Sequence, residues 1–263
     1  MIPRAQITAW RANAPWPDDA QVEQDLVLSR AMVDLFSDDH IASHFAMRGG
    51  TALNKLSLTS PLRYSEAIDL VQVVAGPTRP FFDALRARLD PWLGGHTYEH
   101  REHSVRATWR FATEAPPSRR MRLKVEANTR EHFTVHGLVS ATFRVESRWF
   151  TGEAGVPTFQ LDELLGTKLR ALYQRRKGRD LFDLHRVGAG SGVDLDRVVE
   201  AFRAYTVGQG NRVSRAEFEA NLLAKLGDRD FRTDILPLLA PGFPYDVDEA
   251  AAWVASEVLP RLP

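Results

Sequence analysis

The spacing of apolar residues in the first third of the chain predicts helices that alternate with short strands. Residues 18–36 place Val22, Leu26 and Phe36 roughly on one side of a helix, and either Asp18 or Asp19 can cap its N-terminus. The other elements predicted here are helices at 37–44, 51–58 and 80–93 and strands at 45–48 and 68–74. The second of these strands is apolar and β-branched, which favours a buried position in a sheet.

The middle of the chain is rich in predicted strands. Met121, Leu123 and Val125 alternate with charged residues, which is the period-two pattern of a strand with one buried face. Strands are predicted at 97–103, 105–112, 119–128 and 139–147.

The pattern becomes helical from Leu161 onward. Helices are predicted at 161–176, 180–187, 195–207, 214–226, 229–238 and 247–258. Gly152, Gly155 and Pro157 interrupt the periodicity just before this region. The sequence therefore predicts an α/β (α+β) fold in two parts: a mixed sheet with helices over residues 1–157, and an all-helical domain over residues 158–263.

Composition narrows the class of protein. The 263 residues include no cysteine, which excludes disulfides and thiolate metal sites and fits a reducing cytoplasm. No apolar run approaches the roughly 18 residues that a membrane-spanning helix needs, so we expect a cytoplasmic protein without a membrane partner. The formal net charge is zero, so any attraction to nucleic acid must come from a local basic patch. The six tryptophans are spread along the chain and are interpreted as packing residues.

A glycine pair followed by an acidic strand is the first candidate for chemistry. Gly49-Gly50-Thr51 opens a predicted helix, where a glycine backbone can approach a phosphate and direct free N–H groups at it. Asp69 lies in the apolar strand, where a carboxylate is costly to bury unless it pairs or binds a metal. Residue 67 points to the same side but is alanine, so only one of two possible Mg²⁺ ligands is present. The alternatives are a plain turn and a strand-end acid.

Lys124 and Glu126 form the second candidate. Both side chains lie on one face of the predicted strand at 119–128, opposite to Leu123 and Val125. They are interpreted either as a surface ion pair or as part of a polar site.

Lys168 is the third candidate, because it falls in the middle of an apolar arc. The leucines of this arc on the predicted helix are Leu161, Leu164, Leu165, Leu169 and Leu172. Glu163, Arg170 and Gln174 are predicted on the opposite side. A lysine in this position either extends its amine to solvent or reaches into a polar pocket, and we favour the pocket.

A basic segment follows Lys168. Residues 168–179 contain six basic residues and no acidic one. Gly178 is predicted to end one helix and Asp180 to cap the next, with Asp183 in its first turn. The segment ends with Arg175, Arg176, Lys177 and Arg179, and these residues predict either an RNA-binding surface or a solvated helix end.

The order of these motifs resembles the AbiEii/AbiGii family of nucleotidyltransferase toxins, which includes the MenT toxins of mycobacterial MenAT pairs. The resemblance rests on Met47-Arg-Gly-Gly-Thr-Ala-Leu, Arg63-Tyr-Ser-Glu-Ala-Ile-Asp-Leu, Lys124-Val-Glu-Ala-Asn and the whole of segment 163–184. It covers about residues 22–187, and the last motif is the most specific.

The resemblance implies a DNA-polymerase-β-like nucleotidyltransferase fold in which the helical domain completes the active-site cleft. It also implies a toxin of a toxin–antitoxin or phage-defence pair. Characterised members of the family move a nucleotide from an NTP to the 3′ acceptor end of tRNA, which stops translation. The expected partners are NTP, tRNA and a cognate antitoxin, with Mg²⁺ as cofactor and no DNA.

The resemblance also implies roles for particular residues. It assigns the triphosphate to Gly49, Gly50, Thr51 and Ser65. It assigns Mg²⁺ to Asp69 and Glu126, and phosphate binding to Lys168. Asp180 or Asp183 would complete the site from the helical side.

Ala67 departs from the family pattern Ser-Glu-Asp-Ile-Asp, in which the first aspartate binds Mg²⁺. Its presence predicts weak metal binding and an inactive enzyme. Because the rest of the motif is intact, we interpret the alanine as a deliberate substitution. Two other readings stay open: a kinase or protein-directed nucleotide transfer on the same fold, and a non-catalytic nucleotide or RNA binder in which Ala67 is native.

Overall fold

The computed structural model describes residues 2–58, 60–114, 116–190 and 192–263. The chain forms two compact units. The first contains the chain up to Thr134 together with Leu138–Phe159, and the second contains Val135–Gly137 together with Gln160–Pro263. No helix in these described ranges is both long enough and apolar enough to cross a bilayer.

The helices of the first unit begin with a short element that the sequence did not predict. They are α1 (Arg4–Trp10), α2 (Asp19–Phe36), α3 (Asp39–His44), α4 (Gly49–Ala52), which continues as a π-helical turn at Leu53–Ser57, and α5 (Arg79–Leu93). Of the two predicted caps of α2, Asp18 is the one that forms: its carboxylate accepts from the backbone N–H of Ala20, and its own backbone N–H donates to the side-chain oxygen of Gln21.

Among the described residues seven strands form one mixed sheet, whereas the sequence predicted a mixed sheet here with only six of these strands. They are β1 (Phe45–Arg48), β2 (Ala67–Gln72), β3 (His96–His100), β4 (Ser104–Ala112), β5 (Arg120–Asn128), β6 (Leu138–Glu146) and β7 (Thr151–Phe159). Their order is β3-β4-β5-β2-β1-β7-β6. The central strand β2 runs parallel to β5 and antiparallel to β1.

Strand β7 corrects the sequence reading, which treated its residues as an interruption. Ala154, Val156 and Thr158 alternate as buried residues, so the period-two pattern is present but carried by few large side chains. Gly152 belongs in the strand because a Cβ there would lie 2.9 Å from Phe150 and 3.0 Å from Val33. Tight packing, rather than a turn, explains this glycine.

Buried polar residues of α2 fix the segment that leads into β2. The Gln24 amide donates to the carbonyl oxygens of Arg122 at 2.8 Å and Glu66 at 3.4 Å. Asp25 accepts from the Trp10 indole and from the Lys55 ammonium, at 2.9 and 2.8 Å. These bonds satisfy groups that would otherwise be costly to bury, and they hold α2 against α1, the π-helical turn and the residue before β2.

The second unit is helical. Its elements are α6 (Leu161–Gln174), α7 (Gly178–Gly188), α8 (Leu195–Val207), α9 (Arg215–Leu226), α10 (Arg229–Thr233) and α11 (Val247–Trp253), with short 3₁₀ or π turns at Leu236–Leu238, Val254–Val258 and Leu259–Arg261. The predicted helix at 229–238 is therefore two shorter elements.

Helix α6 is buried on more sides than its leucine arc predicted. Glu163 and Arg170, expected on a polar face, are both buried. The Glu163 carboxylate accepts from the backbone N–H groups of Val135 and His136 at 2.9 and 2.8 Å, and from the Tyr205 hydroxyl at 2.6 Å. The Arg170 guanidinium lies over the Tyr205 ring. Each buried charge thus has partners that are close in space but distant in sequence, and the helical period alone cannot reveal them.

Candidate active site

The glycine pair lies where β1 ends and α4 begins, and it makes room for two charged side chains. Gly49 has a φ of +82°, and a Cβ there would lie 2.6 Å from an Asp69 carboxylate oxygen. A Cβ on Gly50 would collide with the guanidinium of Arg63. The turn therefore needs glycine both for its backbone conformation and for the close approach of Asp69.

Arg63 belongs to one of the sequence motifs, but the sequence predicted no role for it in the site. It is buried beneath the turn, and its Nη1 donates to the Tyr64 carbonyl at 3.0 Å. A buried guanidinium next to Gly50 places a fixed positive charge beneath the backbone of the turn.

Thr51 and Ser65 lie together next to β2. Their hydroxyl oxygens are 2.7 Å apart, and the Thr51 hydroxyl also donates to the Ala67 carbonyl at 2.5 Å. These bonds tie α4 to the first residue of β2. In this structure the two hydroxyls thus fix the backbone position of residue 67.

A row of four charged residues crosses the sheet at the level of Asp69. Arg48 of β1 pairs with Asp69, which pairs with Glu126 of β5, which pairs with Arg106 of β4. Residues paired in register project from the same side of a sheet, so Asp69 and Glu126 are neighbours. The row has a cation at each end and the two acids side by side in the middle.

The two acids of this row have different surroundings. Glu126 accepts from the Arg106 guanidinium at 2.9 and 2.6 Å and from the Ser104 hydroxyl at 3.2 Å. The half-buried Asp69 side chain has no hydrogen bond or ion pair with any described residue. Arg48 pairs with Glu131 instead. Asp69 is therefore the carboxylate available to a ligand.

The surface ion pair between Lys124 and Glu126, one of the two readings of that motif, does not form. Glu126 pairs with Arg106 instead, because Arg106 lies directly opposite on the neighbouring antiparallel strand. Lys124 is two residues away along the same strand as Glu126. Lys124 is instead paired in register with Ala67. A lysine therefore lies beside the position at which a second carboxylate would project.

The residues present are too few to hold a resident Mg²⁺. Ala67 and Asp69 share one side of β2, but the first carries only a methyl group. Among the described residues, no group of three or more His, Asp or Glu side chains is arranged to hold a metal. Asp69 and an Arg106-bound Glu126 supply little of the oxygen shell that Mg²⁺ needs.

The second unit contains a buried cluster of acids and bases around Lys168. The Lys168 ammonium lies 2.7 Å from Asp183 and 3.3 Å from Asp180, and Arg175 donates to Asp180 at 2.6 and 2.8 Å. Lys168 is only 5% exposed. The lysine thus reaches a polar pocket rather than solvent, and the buried carboxylates are compensated by cations.

Three expectations about this helix boundary were wrong. Helix α6 ends at Gln174, before Gly178, and α7 begins at Gly178, so Asp180 lies inside the first turn instead of capping it. Asp183 lies beyond the first turn, in which it was expected. Lys177 precedes α7 and its side chain makes no capping hydrogen bond, so the sequence carries no local signal for this helix start. Burial raises the pKa of Asp234, which lies against Gly178, and the charges of Arg179 and Lys177 oppose that shift.

The basic segment is partly engaged by acids. Arg175 is bound to Asp180, and Arg176 lies 3.4 Å from Asp228. Lys177 is exposed and has no side-chain partner among the described residues. The structure therefore divides the predicted RNA-binding residues into one that neutralises the buried cluster, two that are exposed, and Arg179, which is half-buried.

The fold is that of a nucleotidyltransferase. The nucleotidyltransferase toxin MenT4 from Mycobacterium tuberculosis aligns over 100% of this chain and 91% of its own, with a TM-score of 0.60 and 14% identity. A candidate nucleotidyltransferase from H. pylori aligns over 93% of this chain and 95% of its own, with a TM-score of 0.55 and 18% identity. At these identities the likeness establishes the fold alone.

The chain belongs to the AbiEii nucleotidyltransferase toxin family. The family model described as "Nucleotidyl transferase AbiEii toxin, Type IV TA system" matches residues 30–253. The match extends past residue 187, where the sequence resemblance ended, into the helices of the second unit. No curated protein sequence is similar enough to this chain to count as a relative.

Proposed function

We propose that this chain is an inactive form of a Mg²⁺-dependent toxin that transfers a nucleotide from an NTP to the 3′ acceptor end of tRNA. The observation that carries the proposal is the register of the sheet. Asp69 and Glu126 are paired on neighbouring parallel strands, and Ala67 projects from the same side of β2 as Asp69. One carboxylate at position 67 would complete a three-acid cluster.

In the active form, the carboxylates at positions 67, 69 and 126 would hold Mg²⁺. When bound, Mg²⁺ neutralises phosphate charge and favours ionisation of the attacking hydroxyl. Backbone N–H groups at Gly49 and Gly50, with the hydroxyls of Thr51 and Ser65, are proposed to bind the triphosphate.

The Lys168 cluster is proposed to bind phosphate. Two of the three ammonium donors of Lys168 face Asp180 and Asp183, which leaves one for a ligand oxygen. The two acids are proposed to hold the ammonium in place for that contact. A cognate antitoxin is the expected protein partner, as the family implies.

The test is to restore the missing acid. Ala67→Asp protein should transfer label from an α-labelled NTP to tRNA in the presence of Mg²⁺, and chelation should abolish the transfer. Ala67→Asn is the matched control, because it has nearly the same size without the charge. The rate of the Ala67→Asp protein should exceed that of the control by at least about 100-fold, since the restored group binds the metal.

Other outcomes would identify other functions. Label that moves only from the γ-position would indicate a kinase, and label on protein rather than RNA would indicate a protein-directed transfer. An enzymatic role would be contradicted if the Ala67→Asp protein transferred label from no NTP to total RNA or protein and the cells that produce it grew normally. A non-catalytic nucleotide or RNA binder would then remain, and the Arg106–Glu126 pair is the observation that favours it.

A further inference from the structure

A cavity of about 310 Å³ lies in the first unit, and none of its lining residues belongs to the candidate active site. Residues from α2, the end of α5, the end of β4 and the turn before β7 line it. The residues that matter for its chemistry are Glu23, Arg30, Trp92, Arg110, Phe111 and Trp149. Small-molecule sites in proteins commonly begin at about this volume.

One wall of the cavity is aromatic and held in place by a cation. The Arg30 guanidinium lies 4.2 Å from the ring centre of Trp92 and 4.8 Å from that of Trp149. The two indoles meet edge to face with centres 5.8 Å apart. Arg30 is itself paired with Asp34 at 3.3 Å. These two tryptophans form an edge-to-face pair with Arg30 over both rings, which their separation in the sequence did not predict.

Among the described residues that line the cavity, one cation has no side-chain partner. Both carboxylate oxygens of Glu23 accept from the Glu114 backbone N–H, at 3.1 and 3.0 Å. Asp34 neutralises Arg30. The Arg110 side chain has no hydrogen bond or ion pair with any described residue. The cavity therefore offers an apolar stacking surface and one free guanidinium.

We propose that this cavity binds a small planar aromatic monocarboxylate. Its ring would stack on the Trp92 and Trp149 wall, and Phe111 would cover its edge. Its carboxylate would accept two hydrogen bonds from Arg110, whose planar fork matches that geometry. A neutral ligand of the same shape would keep the stacking and lose the charge-assisted bonds.

The test is a calorimetric titration of 2-naphthoate, the probe, into the unmodified full chain, which measures binding affinity and stoichiometry. We expect saturable binding of one molecule, and weaker binding of the neutral isostere 2-naphthamide. Arg110→Gln should weaken 2-naphthoate binding about 10-fold, because a hydrogen bond to a charged group is lost, and should leave 2-naphthamide binding unchanged. Arg122→Gln is the matched control, since Arg122 is the cross-strand partner of Arg110 but does not line the cavity.

A second variant tests the aromatic wall. Trp149→Ala should weaken both probes, and unchanged thermal unfolding would show that the variant remains folded. The proposal is overturned if 2-naphthoate does not bind saturably. It is equally overturned if Arg110→Gln and Arg122→Gln bind 2-naphthoate alike. Neither result depends on nucleotidyl transfer, so this test and the test of the proposed function are independent.

Discussion

The carboxylate of Asp69 occupies the space in which any residue other than glycine at position 49 would carry its Cβ. The same glycine has a left-handed backbone, with a φ of +82°. These two facts make the Gly49–Asp69 contact sensitive to a single methyl group, because steric collision and backbone strain act at one atom.

We expect Gly49→Ala to lower the free energy of unfolding by about 1–3 kcal/mol, because the methyl group must displace Asp69 and the backbone is strained. Urea denaturation measures this change. Gly95→Ala is the control, since no atom lies within 4 Å of a Cβ at that position and its φ is ordinary. Equal stability of the two variants would show that the Gly49 turn relaxes without cost.

Residue-level prediction from the sequence succeeded where chemistry is local and failed where a partner is distant. Asp69 was recognised because an acid within an apolar strand is unusual in any context. The partner of Glu126 was not, because Arg106 lies on another strand and only the register of β4 and β5 brings the two together. Arg63 left no signal beyond its presence in a motif.

At the level of elements, the C-terminal end of α6 depends on a residue of α9. The Lys225 ammonium donates to the carbonyl oxygens of Leu172 and Tyr173, which have no partner within the helix. Lys225 is buried, and burial lowers its pKa to about 8 from the ordinary 10.5. One amine thus caps a helix end and is also a titratable group inside the second unit.

The pH dependence of stability follows from that lowered pKa. Between pH 8 and 10.5 the unfolded chain holds the Lys225 proton more firmly than the folded chain, so stability rises with pH across this interval. Below pH 8 both states are protonated and the cost of burying the charge is constant. We expect this contribution to total about 1–3 kcal/mol and to be absent from Lys225→Gln, as urea titrations at several pH values would show. Parallel pH curves for the two proteins would contradict it.

Most elements could be predicted from their own residues, and those that could not depend on packing. Helix α2 carries its cap and its apolar stripe in sequence, so its bounds were found almost to the residue. Strand β7 was missed because two glycines and a proline dominate its local propensity, although its buried face is regular. The start of α7 was misplaced because the residue before it, Lys177, makes no side-chain capping hydrogen bond.

At the level of the whole molecule, the formal net charge of zero means that any binding of RNA depends on local clusters. Arg176 and Lys177 are the exposed members of the basic segment whose removal leaves the buried acids compensated. Arg175 is different, since it neutralises Asp180. Replacing Arg175 would therefore confuse a binding effect with a folding effect.

We expect the double variant Arg176→Ala/Lys177→Ala to bind tRNA more weakly at low salt. The slope of log affinity against log salt should fall in magnitude by roughly 1–2, using about 0.7–0.9 per phosphate contact. Filter binding over a salt series measures both quantities. Arg215→Ala is the control, because Arg215 pairs with Glu219 on an exposed face of α9. Identical slopes for the double variant and the parent would place the RNA contacts elsewhere.

The path of the chain between its two units has a consequence for synthesis. The chain passes from one unit to the other after Thr134, after Gly137 and after Phe159. As the protein emerges from the ribosome, β1 keeps an open edge until β7 has been made, more than 100 residues later. The backbone amides of Val135 and His136 likewise have no Glu163 carboxylate to donate to until residue 163 has been synthesised. With only four residues, β1 offers little edge for mispairing during that delay, so its shortness protects the nascent chain as well as ending the strand at the glycine turn.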